Sequence, residues 1–303
     1  MTPIASRGVQ ESGMVLVIVL WIMTLLTVMA SSFVYSMRTE TLLATHGVER
    51  AQARALAEAG LRYAVLRVLY PVPSLEEDVQ EEWPVDGSIR HWRFGPGQIH
   101  IRVVDVSGKI DLNRADRNLL GGLLLTAGVP EDSVDSVLDA IEDWRDPDDL
   151  RRLNGAESAE YQAAGRALGP KNGFFESVEE LQQVLGITQA IYQRIADKLT
   201  VFSRQPGIDP ATAPAEVLRA LPEADPDIID AYLEERIESA NQGLPPPPPP
   251  AVGPYLSRAR GLAYDIVVSA ELDSGVTASV KATVARPRQP EQPYALLAWH
   301  EGL

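Results

Sequence analysis

The sequence predicts an α+β protein: a long N-terminal transmembrane helix packed on a small antiparallel sheet, with a large all-α domain inserted between the strands. Three observations predict it. Residues 14–30 form an almost wholly apolar run at the amino end. β-rich runs occur both before residue 106 and after residue 262. Between about 110 and 236 strand character nearly vanishes and helical spacing dominates.

The N-terminal helix carries the strongest signal. From Gly13 to Met37 there is no charged residue, and Met14–Ala30 is long enough to cross a bilayer core about 30 Å thick. A secretory signal peptide would have a shorter apolar region of roughly 7–15 residues and a small-residue cleavage site, which Ala30-Ser31-Ser32 imitates. A third reading is a prepilin-type leader, short, polar and ending in glycine. Gly13-Met14 fits that pattern; Gly8-Val9 does not, because Glu11 would then enter the membrane helix. Arg38 to Leu69 contains no proline, and Gly47 and Gly60 are its only breakers. A continuous helix from 14 to 69 would be about 84 Å long; a break near Gly47 would leave an anchor and a separate core helix. Leu56, Ala59, Tyr63, Leu66 and Tyr70 have the spacing of one helix face, a sticky stripe for close packing, while Arg54, Glu58 and Arg62 pair on the solvated side. Pro71 and Pro73 end the helix.

An acidic, proline-containing linker follows over 71–87. Ile89–Phe94 and Gln98–Val106 flank Gly95-Pro96-Gly97, a hairpin signal. The candidate helices are Leu119–Leu125, Val134–Trp144, Val178–Leu185, Ala190–Leu199, Pro214–Leu221 and Ile228–Ile237. Pro245–Pro250 is extended chain that packs as neither helix nor sheet. Leu262–Leu272 and Val276–Arg286 then flank Asp273-Ser274-Gly275, a second hairpin, and Tyr294–His300 follows. One hairpin alone is marginal in water, so a single sheet completed from both sides is the simplest solution, with two separate domains as the alternative. The resulting division is a leader over 1–13, a helix over 14–70 with its membrane segment at 14–34, and α/β parts at 71–109 and 255–303. Between those parts lie the helical domain, 110–240, and a Pro-rich loop, 241–254.

Composition narrows the function. The chain has 303 residues, a formal charge of −15 and a pI near 4.7, so it repels phosphate backbones and anionic lipid heads. With no cysteine, thiolate chemistry, disulfides and Cys-based zinc sites are excluded. The four histidines, His46, His91, His100 and His300, lack metal-ligand spacing, and no Gly-x-Ser-x-Gly, P-loop or dinucleotide fingerprint occurs. The chain does not read as an enzyme.

Two motifs in the helical block carry chemistry. Ile110-Asp111-Leu112-Asn113-Arg114-Ala115 before a helix, then Gly128-Val129-Pro130, resembles a helix-hairpin-helix, with an echo at Ile208–Pro214. Such hairpins grip nucleic acid when basic residues flank them. Here residues 130–160 hold eleven Asp/Glu against three Arg, net −8, which favours a packing device and no nucleic-acid partner. The same density suggests a cation. Asp143, Asp146, Asp148, Asp149 and Glu157 crowd one segment, and calcium takes six to eight oxygen ligands at flexible geometry. The loop is not an EF-hand, since Leu150 and Arg151 stand at its fifth and sixth places; the alternative is a helix end whose carboxylates are solvated or paired with Arg151 and Arg152.

These residues resemble a family. Ile141–Asp149 with Asn154–Glu157 and Tyr161, then Asn172–Leu181, then Ile208–Leu218, are similar to signature stretches of the K-type minor pseudopilins of type II secretion, the GspK family; Asp209 and Ala211 replace two asparagines. The resemblance implies a helical domain inserted into a small pseudopilin α/β domain. It also implies a place at the pseudopilus tip, with I-type and J-type minor subunits and the pseudopilus helices as partners. The localisation implied is a single pass of the bacterial inner membrane with the bulk in the periplasm. Prepilin peptidase would cut at Gly13-Met14. Most pseudopilins carry glutamate at the fifth mature position and the K-type does not; here that place is Ile18. Calcium ligation by the acidic loop is compatible with the family. The alternative function is a membrane-tethered periplasmic helix-hairpin-helix protein that binds DNA.

Overall fold

The computed structural model describes residues 11–70, 83–287 and 292–302. Most of the leader and most of the acidic linker fall outside the described residues.

Helix α1 runs without a break from Glu11 to Leu69. Its 59 residues span about 88 Å at 1.5 Å per residue. Gly47 does not interrupt it: a Cβ there would meet nothing within 4 Å, so the site is an open helical position. Thr24, Thr27, Thr39, Thr41 and Thr45 return their hydroxyls to the carbonyl four residues back. That lets polar side chains sit in an apolar stretch without unsatisfied donors.

The C-terminal third of α1 lies on a five-stranded antiparallel sheet. Its strands are β1 (Asp86–Phe94), β2 (Gly97–Asp105), β5 (Ala263–Leu272), β6 (Thr277–Ala285) and β7 (Ala295–Glu301), in the spatial order β1-β2-β5-β6-β7. The first hairpin precedes the helical block and the remaining strands follow it. They join in one sheet because β2 pairs with β5 from Gly97↔Leu272 to Asp105↔Tyr264. Strand alternation sets Ile99, Ile101, Val103, Ile266, Val268, Ala270, Val280, Ala282 and Val284 towards α1.

The helix face that meets them differs from the expected stripe. Ala53, Leu56, Ala57, Leu61, Ala64, Val65 and Leu69 are buried. Of the expected set only Leu56 is, and Leu66 and Tyr70 are 52% and 45% exposed. Small residues decide the register. A Cβ on Gly60 would come within 2.7 Å of Ile99 Cγ2 and 2.8 Å of Val268 Cγ1, so this glycine marks the closest approach of helix to sheet. Each fully buried Leu, Val or Ile contributes about 1.5–3 kcal/mol. Arg54–Glu58 and Arg62–Glu58 pair on the outside, and Arg54 also meets Glu301 of β7 at 2.6 Å.

The inserted block has its own core. It comprises β3 (Ile110–Asp111), α2 (Arg117–Thr126), α3 (Glu131–Arg145), α4 (Ser158–Ala163), α5 (Gln189–Ile195), β4 (Leu199–Thr200), α6 (Ala215–Arg219) and α7 (Pro226–Asn241). β3 and β4 form a small parallel pair. Gly122 backs directly onto the Ala220 carbonyl, bringing α2 against α6. Val252 and Leu256, beyond the proline run, pack on this helical core.

The junction with the sheet is polar and fully bonded. Asp105 accepts from Ser107 N and Oγ and from Gly261 N; buried Asp209 meets Arg260 Nε at 2.5 Å; Lys109 meets Asp265 at 2.6 Å. Buried carboxylates persist in such places because each is paired.

Candidate functional site

Two regions carry the sequence-derived residues: the exposed half of α1 and the acidic end of α3. On α1 the stretch from Met14 to Val34 is exposed throughout, with Met14 at 70%, Ile18 at 50% and Trp21 at 74%. It is the one described helix long and apolar enough to span a membrane, and none of its most apolar part is buried. In water such a surface is strongly unfavourable; it needs lipid or other helices around it. Gly13 and Met14 both lie inside α1, near its start. Ile18 is one turn further in, on the same uncovered surface.

The acidic region is built where α3 ends. Burial of Val134, Val137, Leu138 and Ile141 on one face turns Asp139 and Asp143 inward as well; Asp143 is fully buried. The chain turns at Asp146 and returns through 147–157 to start α4. Arg152 stands in the middle of the return. Its Nη1 donates to Asp143 Oδ1 at 2.7 Å and also contacts Asp146, and its Nε meets Glu142 at 2.9 Å. Burial opposes the charge on Arg152, but the hydrogen bonds it donates to Asp146 and Asp143 outweigh it and hold the group protonated more firmly than usual. Asp139 binds Arg117 at 2.7 Å and accepts from Asn154 N. Asp148 accepts from Leu150 N, and Asp149 from Asn172 Nδ2, both at 2.8 Å. Gly155 presses on the Asp143 carboxylate so closely that any side chain there would collide with it. Trp144 roofs the site, stacked on Phe175 at 6.0 Å.

The five acids expected to share a cation do not converge as a set. Among the described residues no three His, Cys, Asp or Glu side chains form a ready metal group. Arg152 supplies the positive charge to Asp143 and Asp146, and two of the acids hold loop backbone or an amide instead. Sequence reasoning placed Arg152 only as a surface partner and missed Arg117, Glu142 and Asn172.

Some oxygens remain unsatisfied. Both oxygens of Glu157, Asp146 Oδ1 and Asn172 Oδ1 are buried without a hydrogen-bond partner. Glu157 is 6% exposed, and burial, with the charges of Asp143, Asp146, Asp149 and Asp148, pushes its pKa up to about 7. Four orphaned oxygens amid carboxylates are a donor set that suits a hard cation.

The hairpin turns are chemically closed. Asn113, Arg114 and Ala115 all donate their amides to Asp111, and Ala211, Thr212 and Ala213 donate theirs to Asp209. Val129 N and Gly128 N return to Leu124 and Leu125 carbonyls. Amides already used in this way are not available to a phosphate.

Comparison with known proteins gives consistent matches. A family model described as type II secretion system (T2SS), protein K, matches residues 102–204. A type II secretion system protein K of Pseudomonas aeruginosa is 26% identical over 251 residues, 76% of this chain and 74% of that protein. A protein of Escherichia coli K12 named as a candidate type II secretion system protein K is 27% identical over 208 residues, 64% of this chain; the match spans 63% of that relative's length. Among solved structures, the GspK-GspI-GspJ complex from the type 2 secretion system of enterotoxigenic Escherichia coli aligns with a TM-score of 0.63 at 19% identity. That alignment covers 86% of this chain and 99% of the other. At that identity the likeness speaks for the fold.

Proposed function

We propose that this chain, a GspK-type pseudopilin of the type II secretion system, is a minor subunit at the pseudopilus tip. There it starts assembly and serves protein export as a structural component, without catalysis. The observation that carries the reading is α1: one unbroken helix with an exposed apolar N-terminal stretch and a sheet-packed C-terminal third, suited to stand in a membrane and then among similar helices. The family-model match supports the K-type assignment. The matched complex contains GspI and GspJ, which supports I-type and J-type subunits as partners.

In this reading prepilin peptidase cuts between Gly13 and Met14, and the 14–34 segment holds the protein in the inner membrane with the rest in the periplasm. A carboxylate inside a membrane is expensive unless a neighbour neutralises it. A subunit with no neighbour above it has no amine to neutralise, so Ile18 suits the tip. Calcium belongs to the same proposal. The orphaned oxygens of Glu157, Asp146 and Asn172 fit it, with Asp143, Asp148 and Asp149 nearby. Bound there, the ion would supply the charge neutralisation that Arg152 gives in part.

Mass spectrometry of membrane-purified protein tests the processing, with an N-methylated Met14 terminus expected. An intact Met1 terminus, or a start near Ser32, would reject it. Co-expression with I-type and J-type subunits tests the assembly: co-purification is expected, and its absence would overturn the tip role.

A further inference from the structure

The face of the sheet turned away from α1 departs from the rest of the chain. Strand register fixes which side chains share it. In one row lie Arg102 of β2, Val267 of β5, Lys281 of β6 and His300 of β7; in the next, His91 of β1, His100 of β2 and Ser269 of β5. Three of the protein's four histidines are therefore on one surface with two permanent cations. The chain holds 42 acids against 27 Lys and Arg, so a face of this sign is not the average composition showing through.

The acids on this face are few and mostly engaged. Asp265 is held by Lys109 Nζ and by Thr283 Oγ1, each at 2.6 Å. Glu271 sits in the row nearest the hairpin turns, beside Gln98 and Thr277. Glu179 of the helical block approaches His300 at 3.9 Å. Neither Arg102 nor Lys281 has an ion-pair partner among the described residues. The two lie two strands apart, about 10 Å, with only Val267 between them. Two cations on one sheet face without an ion-pair partner among the described residues leave their charge open to a partner outside the chain.

We propose that this outer sheet face docks an acidic surface of another protein, with Arg102 and Lys281 as its anchors and His100 and Ser269 as additional donors. A protein fits better than nucleic acid, because two spaced cations neutralise too few phosphates to overcome a chain of net charge −15. An acidic strand or helix laid across β2, β5 and β6 would place carboxylates against both anchors.

The test uses full-length protein in nonionic detergent and fluorescence anisotropy of a short labelled peptide of alternating Glu and Val. The expected result is binding that weakens with salt, is lost when Gln replaces Glu in the peptide, and falls roughly tenfold in the double variant Arg102→Gln with Lys281→Gln. A tenfold loss lies within what two exposed ion pairs supply together. A control of equal charge change, Arg62→Gln with Arg219→Gln, should leave binding unchanged, with melting curves verifying that all variants fold. Equal weakening by the control, equal binding of the Gln peptide, or tighter binding of a DNA duplex than of the Glu peptide would each overturn the proposal.

Discussion

Glu157→Gln tests the acidic site most directly. In the metal-free protein Glu157 is buried among four carboxylates with neither oxygen bonded, and its pKa rises from 4.5 to about 7. A carboxyl whose folded pKa is raised contributes stability while protonated. That stability is fully present below about pH 4.5 and is lost as pH climbs through about 7. The shift corresponds to about 3 kcal/mol at pH 8. Glutamine has nearly the same shape and no charge. Allowing for relaxation around the site, the variant should be more stable than the parent by roughly 2 kcal/mol at pH 8 in EDTA, a rise in Tm of about 4–8 °C. At pH 4 the two should melt together. Calcium in excess should reverse the order at pH 8, raising the parent by mass action and leaving the variant nearly unmoved. Differential scanning fluorimetry in detergent, with and without calcium, reads all of these. A variant that melts below the parent in EDTA at pH 8 would refute the electrostatic argument. Equal stabilisation of both by calcium would refute Glu157 as a ligand.

Other outcomes are equally specific. Gly60→Val forces α1 away from Ile99 and Val268 and should lower stability by about 1–3 kcal/mol in denaturant titrations; an unchanged midpoint would mean the helix is not seated as described. Lys109→Met strands Asp265 among half-buried groups, and losing one member of such a pair costs about 3–5 kcal/mol. The matching Asp265→Leu in the same chain should restore part of it, which thermal melting can follow. Ile18→Glu places a carboxylate near the start of the apolar stretch, at a cost below the about 3 kcal/mol of a bilayer centre. It should impair a secretion assay if this subunit has no neighbour above it, and leave secretion normal if an amine is at hand.

Much of the fold was legible because the signals were local. The membrane stretch is readable from absence of charge alone, both hairpins from Gly-Pro-Gly and Asp-Ser-Gly, and α2, α3 and α7 from periodic apolar residues. The face of α1 was not. Its apolar residues are frequent enough to support more than one stripe, and the choice fell to Ala53, Ala57, Gly60 and Ala64, which carry little hydrophobic signal but permit close approach. Helix α4 was missed because it is six residues long. The segment at 178–183 reads as a helix but closes as a 3-10 turn. At the acidic loop, sequence named the carboxylates and could not say which were inward. Asp143 faces in because α3 buries that side, and Arg152 returns to it only through the turn at Asp146.

By itself, then, the sequence determined the order of the parts: an apolar rod, strands, a helical block and strands again. Each of these follows from residue spacing and charge within a few turns of chain. The tertiary structure alone decided that β2 and β5, whose paired residues are 159 or more apart, are neighbours. It also decided that a row of small residues seats α1, and that one arginine stands among the acids. The physical reason is the same in each case: contacts between distant segments depend on volume and on which groups lose water together, and neither is written in the local pattern.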